Sequence, residues 1–235
     1  MNMKYNGVQF KLVSYSRCGL KITEHKEYKM EGIHSISSSC LENPFCMVNR
    51  KCPGLVCEYC YAEAQLNCYK KQREVLKKNT EILTKEIITE IPFFSSTIGR
   101  IEAFGDLQNI TQAINYMNIV RFNPDVKFGW WTKNPYFIGK AIDAGWKKPK
   151  NLVILYSSPK LNKRESYSEI KRRFPFIDKI FTVYENEEKA KEEGVRINCQ
   201  GKCITCENSC YHKAGSKYVN EIIKQAGFGS FKNNK

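Results

Sequence analysis

The sequence predicts an α/β fold: an open or partial (β/α) barrel of parallel strands with a cysteine-rich C-terminal extension. Three observations carry that prediction. Short apolar runs at 99–104, 126–131, 151–156 and 179–184 alternate with helical connections of about 10–20 residues, the pattern of right-handed βαβ units. The run NLVILY, 151–156, is nearly all apolar, as expected of a strand covered on both faces. Each run is followed at once by polar or turn residues: Gly105-Asp106, Thr132-Lys133-Asn134, Ser157-Ser158-Pro159 and Glu185-Asn186. In parallel α/β folds such residues converge on the rim where sites form, although any strand must also end in turn residues.

The elements follow in order. After Tyr61 the stretch AEAQLNCYKKQREVLKK is rich in helix formers. NTEILTKEIITEIP reads as a second helix, capped by Asn79 or Thr80 and stopped at Pro92, with Ile82, Leu83, Ile87, Ile88 and Ile91 on one face. GRIEAF is a strand, and Ile110, Ala113, Ile114 and Met117 then recur at helical spacing. VKFGWW is the next strand, in which Trp130 and Trp131 face opposite sides. Pro135 opens a helix that Gly145 closes. After NLVILY come the strand KIFTVY, a short Glu/Lys-rich helix and a last strand, VRIN, 195–198. The chain divides into an N-terminal segment, 1–34, a main unit, 35–198, and a C-terminal segment, 199–235, holding a cysteine cluster and a helix.

Composition sets the limits. At 235 residues and 42% hydrophobic, the chain supports a real core without disulfides. It shows no secretory leader and no apolar run near the ~20 residues of a membrane span, so a cytosolic location and no membrane partner are expected. The formal net charge of +14 favours a nucleic acid or another polyanion as partner, against the plainer reading of solvated lysine-rich helix faces.

Eight of the eleven cysteines fall in two tracts, Cys46 to Cys60 and Cys199 to Cys210. In a reducing compartment such clustering points to metal rather than disulfides. Cys199-x3-Cys203-x2-Cys206-x3-Cys210 places four thiols in one short loop, with the small residues Gly201, Thr205 and Ser209 between them. A structural zinc site usually draws two pairs from separate knuckles, whereas a 4Fe-4S cubane can be wrapped by one loop, so iron-sulfur is preferred and zinc is the alternative. The first cluster offers Cys40, Cys46, Cys52, Cys57 and Cys60, with Cys57-x2-Cys60 a metal-binding pair before a helix. Three ligands would leave one iron open to a small molecule. Cys18, Cys40 and Cys68 read as packing or surface thiols, and His34 and His212 as structural. AGFGS, at 226–230, is not a phosphate loop.

CEYCYA, Cys57 to Ala62, resembles the end of the radical S-adenosylmethionine signature, a three-cysteine loop with an aromatic before its last cysteine. That signature spaces its first two cysteines by three residues, whereas four separate Cys52 from Cys57. More closely, the series NPFC…CEYCYA, FGDL, WTKNP, NLVILYSSP, FTVY and INC…C..C…CY is similar to radical-SAM-like proteins of the phage gene-product type, found in phages and Gram-positive bacteria, over about Ser35 to Tyr211. There the first ligand follows Asn-Pro-aromatic, so the resemblance implies Cys46, Cys57 and Cys60 as ligands, with Cys52 the competing third.

The resemblance further implies a radical-SAM-like partial barrel. It implies Gly105 and Asp106 at the methionine amine, Tyr59 near the adenine, and Thr132, Lys133 and Ser157 touching ribose, carboxylate or substrate. It also implies an electron donor such as flavodoxin or ferredoxin. Two functions follow: a radical-SAM-like iron-sulfur enzyme, its substrate a nucleic acid, nucleotide or peptide, or a non-catalytic metal-stabilised nucleic-acid-binding protein. A vacant coordination position at the first cluster separates them.

Overall fold

A computed structural model describes residues 2–199, 201–206 and 210–223. The chain opens with β1 (Asn2–Tyr5) and β2 (Val8–Val13), an antiparallel hairpin, followed by the single turn α1 (Tyr15–Cys18). Next come β3 (Thr23–Glu24), β4 (His34–Ile36), α2 (Pro44–Asn49), α3 (Tyr61–Cys68), α4 (Lys70–Lys85) and β5 (Glu90–Pro92). Regular alternation then sets in: β6 (Ile98–Ile101), α5 (Ile110–Arg121), β7 (Lys127–Thr132), α6 (Tyr136–Asp143), β8 (Leu152–Ser157), α7 (Tyr167–Arg173), β9 (Lys179–Tyr184), α8 (Glu187–Glu192) and β10 (Tyr218–Ile222).

Seven strands form one sheet in the order β10-β9-β8-β7-β6-β4-β3, while β1, β2 and β5 form a small second sheet. Every pairing from β4 to β10 is parallel, and only β3 runs the other way. The strands lie in chain order from β4 to β10, so each crossover advances one place in the same direction. All parallel strand ends therefore open on one side of the molecule. Strands β3 and β10 are the sheet's edges, and among the described residues it does not close into a barrel.

Alternation along the strands sorts the side chains into two layers. Phe128, Trp130, Ile154, Tyr156 and Ile180 face the helices and join Ile114, Tyr116, Met117 and Ile138 in the main core. Trp131, Val153, Leu155 and Phe181 face the other way and are covered by Met30, Ile33 and Tyr211, with Cys199, Cys203 and Cys210 against them. The two tryptophans lie on opposite faces, as the alternation requires. All six residues of β8 are buried, as its apolar run requires.

Three local expectations are corrected. The helical stretch after Tyr61 breaks at Tyr69, not at Lys78, and Asn79 and Thr80 are interior residues of α4 rather than caps. They are spent on tertiary bonds: Asn79 accepts from the Lys21 amide at 2.8 Å and donates to Ser37 O at 3.1 Å, while Thr80 Oγ1 accepts from the Ser39 amide at 2.8 Å. Helix α4 ends at Lys85, so Ile87 and Ile88 lie in the connection after it and Ile91 belongs to β5. VRIN forms no strand; the place beside β9 is taken by β10, and Asn198 bonds to β10 through its own side chain, accepting from the Asn220 amide at 2.8 Å.

Thus 199–223 adds a strand to the main sheet rather than a helix, and the rest of the expected C-terminal helix, with Ser209 and 226–230, lies outside the described residues. Among the described residues no helix is long and apolar enough to cross a membrane.

Candidate functional site: a cavity lined by two thiol sets

The first thiol set is built by capping and turn chemistry. The Asn43 side chain caps α2 by accepting from the amides of Phe45, at 2.9 Å, and Cys46, at 3.4 Å, and Pro44 occupies the first helical position. The same side chain donates to Asp106 O at 2.6 Å, fixing the Cys46 helix against the loop after β6. This gives NPFC its physical reading: cap, helix start and thiol in one turn. Cys57 lies in a 3₁₀ turn, Val56–Tyr59, and Cys60 precedes α3. That turn is pinned to the segment after β8, Val56 N donating to Pro159 O at 2.8 Å.

Cys40, Cys46, Cys57 and Cys60 line one cavity on the strand-end side. Cys40, fully buried, packs against Cys46 and Cys60. A hydrogen bond from Cys40 holds the Cys60 thiol down at about 6, and the same bond pushes Cys40 up. Burial pushes Cys46 and Cys57 up as well. Cys52 does not line the cavity; it follows α2, and its thiol turns back onto the end of that helix, 3.5 Å from Val48 O.

Two buried carboxylates organise the rim. Glu102 follows β6 with φ +56, a left-handed conformation uncommon for a residue other than glycine. Its Oε1 accepts from Ser38 Oγ (2.6 Å), Gln112 Nε2 (2.9 Å) and Tyr116 OH (2.6 Å), and its Oε2 accepts from the amides of Ser38 and Gly105, both at 3.1 Å. Burial nevertheless dominates, pushing its pKa up to about 7. Asp106 accepts from Thr132 Oγ1 (2.6 Å) and the Leu107 amide (2.8 Å) on one oxygen and from the Lys133 amide (2.7 Å) on the other. It thereby ties the loop after β7 to the loop after β6. Burial raises its pKa too.

Gly105 is required by space. A Cβ there would lie 2.3 Å from Ser38 Oγ and 2.8 Å from Ser38 O. Gly105→Ala is expected to cost about 2–3 kcal/mol, since backbone as well as side chain must move, and thermal unfolding checks it. An unchanged melting temperature would contradict the packing.

The second thiol set lies against the face of the sheet away from the helices. Cys203 N donates to Lys29 O at 2.9 Å and Cys199 N to Asn220 O at 3.1 Å, while Lys29 Nζ reaches Cys199 Sγ at 3.0 Å and ion-pairs with Glu221. Tyr211 packs edge-on to Trp131, ring centroids 5.6 Å apart, where the missing side chain of Gly129 makes room. Cys199, Cys203, Cys206 and Cys210 line the same cavity as the first set.

Of the residues expected at the site, Tyr59, Gly105, Asp106, Thr132, Lys133 and Ser157 all line this cavity. Tyr59 is half exposed, and Ser157 is buried at the end of β8. Asp106 and Thr132 spend their side chains on each other, which makes them buttresses of the rim as much as ligand contacts. Burial lowers the tendency of the Lys133 ammonium to stay charged, but Cys57, Asp106 and Cys46 outweigh it and raise its pKa.

Glu102 and Arg100, which the sequence reading did not single out, also line the cavity, as does Cys40, read there as a packing thiol. The signals were the serine run before Cys40 and charged residues inside an otherwise apolar strand. Cys18, Cys68, His34 and His212 lie outside it.

The donor chemistry, rich in thiols, is of the kind that soft metal centres select. Two groups of four thiols meet lysine and arginine cations, and thiolate-rich sets select zinc, copper(I) or iron-sulfur clusters. Among the described residues no three Cys, His, Asp or Glu stand close enough to hold a single ion. Tetrahedral zinc draws thiolates to about 3.8 Å from one another. A cubane holds each thiolate on a different iron and asks for wider spacing.

An in-order parallel α/β sheet whose strand ends carry a cavity lined by eight thiols defines a thiol-rich α/β protein. The chain belongs to the phage-type family described as Gene product 88, whose profile matches residues 19–203. The match takes in the whole first thiol set and the first two cysteines of the second. No curated protein and no solved structure matches the chain.

Proposed function

We propose that the protein is a radical-SAM-like iron-sulfur enzyme built on a partial (β/α) barrel. One 4Fe-4S cluster would be held by Cys46, Cys57 and Cys60, and a second by Cys199, Cys203, Cys206 and Cys210. The observation that carries this is the convergence of both thiol sets, more than a hundred residues apart in the chain, on one cavity at the ends of in-order parallel strands.

A cluster with an open iron, when bound, supplies one-electron reduction of the S-adenosylmethionine sulfonium. The chain's own residues do the rest. Asn43 and Asp106 hold the Cys46 helix in place, and Tyr59 stands at the cavity lining. Lys133 provides positive charge beside Cys46 and Cys57, which offsets anionic sulfur in a low-dielectric site. Lys29 donates to Cys199 and does the same for the second set. Trp131, Phe181 and Tyr211 give the cavity an aromatic floor that limits water. The net charge of +14 supports a phosphate-bearing substrate such as a nucleotide or nucleic acid, and a flavodoxin or ferredoxin as electron donor fits the chemistry.

The test is anaerobic purification with iron, acid-labile sulfide and zinc quantified. About eight irons and eight sulfides per chain are expected, four of each per cubane. Zinc without sulfide would refute the proposal and leave a metal-stabilised binding protein.

A further inference from the structure

The face of the sheet away from the helices carries a buried cation that, among the described residues, forms no ion pair. Arg100 sits in β6, is only 9% exposed and lines the cavity. Its guanidinium lies over the Trp131 ring, 4.2 Å from the centroid. The acceptors it reaches are weak: Nε is 3.4 Å from Glu102 O, and Nη1 is 3.4 Å from the Met30 sulfur. Among the described residues none of the ion pairs includes it.

The carboxylates nearby are already engaged. Glu102 is held by five donors, and Glu221 is paired with Lys29. A guanidinium withdrawn from water without a strong acceptor is costly, and that cost is recovered when an anion enters. Its planar fork of donors matches the two oxygens of a carboxylate or phosphate. Trp131 is itself braced edge-on by Tyr211 and Phe181, so the plate beneath the guanidinium is fixed.

We infer that Arg100, stacked on Trp131, is the anchor for a carboxylate or phosphate group of the substrate within the cavity that the two thiol sets share. This rests on that cavity being the substrate site of the proposed enzyme and adds the substrate's class, a small anion-bearing molecule. The alternative is that Arg100 serves only as packing or as a counter-charge to Cys203.

The experiment is thermal unfolding of the anaerobically purified full chain, followed by circular dichroism. Inorganic phosphate probes phosphoryl ligands, acetate probes carboxylates, and chloride at matched ionic strength is the reference. One of the two anions is expected to raise the melting temperature saturably, as mass action on a folded-state site requires. In Arg100→Gln the apparent affinity should fall at least about tenfold, since a hydrogen-bonded charge pair is worth that much. Arg100→Lys keeps the charge but loses the fork, should fold if the glutamine variant does not, and should bind several-fold more weakly than the native chain.

Phosphate, acetate and chloride acting alike, or the same saturable rise in the Arg100 variants, would overturn the inference; the first result would mark a general salt effect on compaction and the second an anion site that does not use Arg100. Iron and sulfide are measured on the same samples. Absent sulfide refutes the cluster proposal without touching the anion result, and an anion-indifferent protein with full sulfide refutes only the inference.

Discussion

Replacing Glu102 with alanine is expected to be the most destabilising single change at the site, lowering stability by about 4 kcal/mol or more. Five donors converge on this carboxylate, and all would be left buried without an acceptor. Each orphaned donor costs about 1–3 kcal/mol, so even partial relaxation leaves a large deficit. Glutamine should be milder, at about 1–2 kcal/mol. Its oxygen can face the fixed amides of Ser38 and Gly105, while its amino end meets hydroxyls that can rotate to accept; only Gln112 Nε2 then opposes a donor.

The pH dependence gives a second signature of the same residue. A carboxyl whose folded pKa, about 7, lies above its ordinary 4.5 binds a proton in the folded state that the unfolded chain has already released. Its contribution is therefore complete below pH 4.5 and is lost as pH rises from 4.5 to 7, by about 3 kcal/mol. Glu102→Gln has no proton to lose, so denaturant unfolding of the variant should lack this component. A variant that keeps the full pH slope would show that the slope arises elsewhere.

The second large effect separates two neighbouring cysteines. Cys46→Ser is expected to remove the iron of the first cluster, about half of the total, and Cys52→Ser to remove none. Cys46 faces the cavity beside Cys40, Cys57 and Cys60, while Cys52 points back to Val48 O outside it. Iron and sulfide analysis of the two variants reads the difference directly. Iron lost from the Cys52 variant and kept by the Cys46 variant would reverse the assignment. Cys40→Ser is the informative companion, since a cluster closed by four thiols would depend on it and one with an open iron would not.

Much of the architecture could be read from residues because it rests on local patterns. KIFTVY is a strand over its whole length, and NLVILY is one residue out of step with β8, because an apolar run between turn residues has few other fates in an α/β chain. The rim was legible for the same reason at three strand ends, since Gly105-Asp106, Thr132-Lys133 and Ser157 line the cavity, while Asn186 after β9 is spent capping α8. What escaped depends on distant partners. Glu102 looks like an ordinary strand residue until Ser38, after β4, and Gln112 and Tyr116, both on α5, are brought to it. Asn79 and Thr80 look like caps because cap chemistry and buried tertiary bonding use the same side chains. Strand β10 was missed because the cysteine loop before it dominates the local pattern, and its pairing with β9 is nonlocal. Cys46 and Cys52 could not be ranked by spacing, since spacing does not tell which way a thiol points.

The central claim is that one iron of the first cluster is open to S-adenosylmethionine. The most direct measurement is electron paramagnetic resonance of the dithionite-reduced protein with and without that cofactor. Two reduced cubane signals are expected, only one of them changing when S-adenosylmethionine is added, and that one absent from Cys46→Ser. Signals indifferent to S-adenosylmethionine would contradict the enzyme and mark both centres as closed.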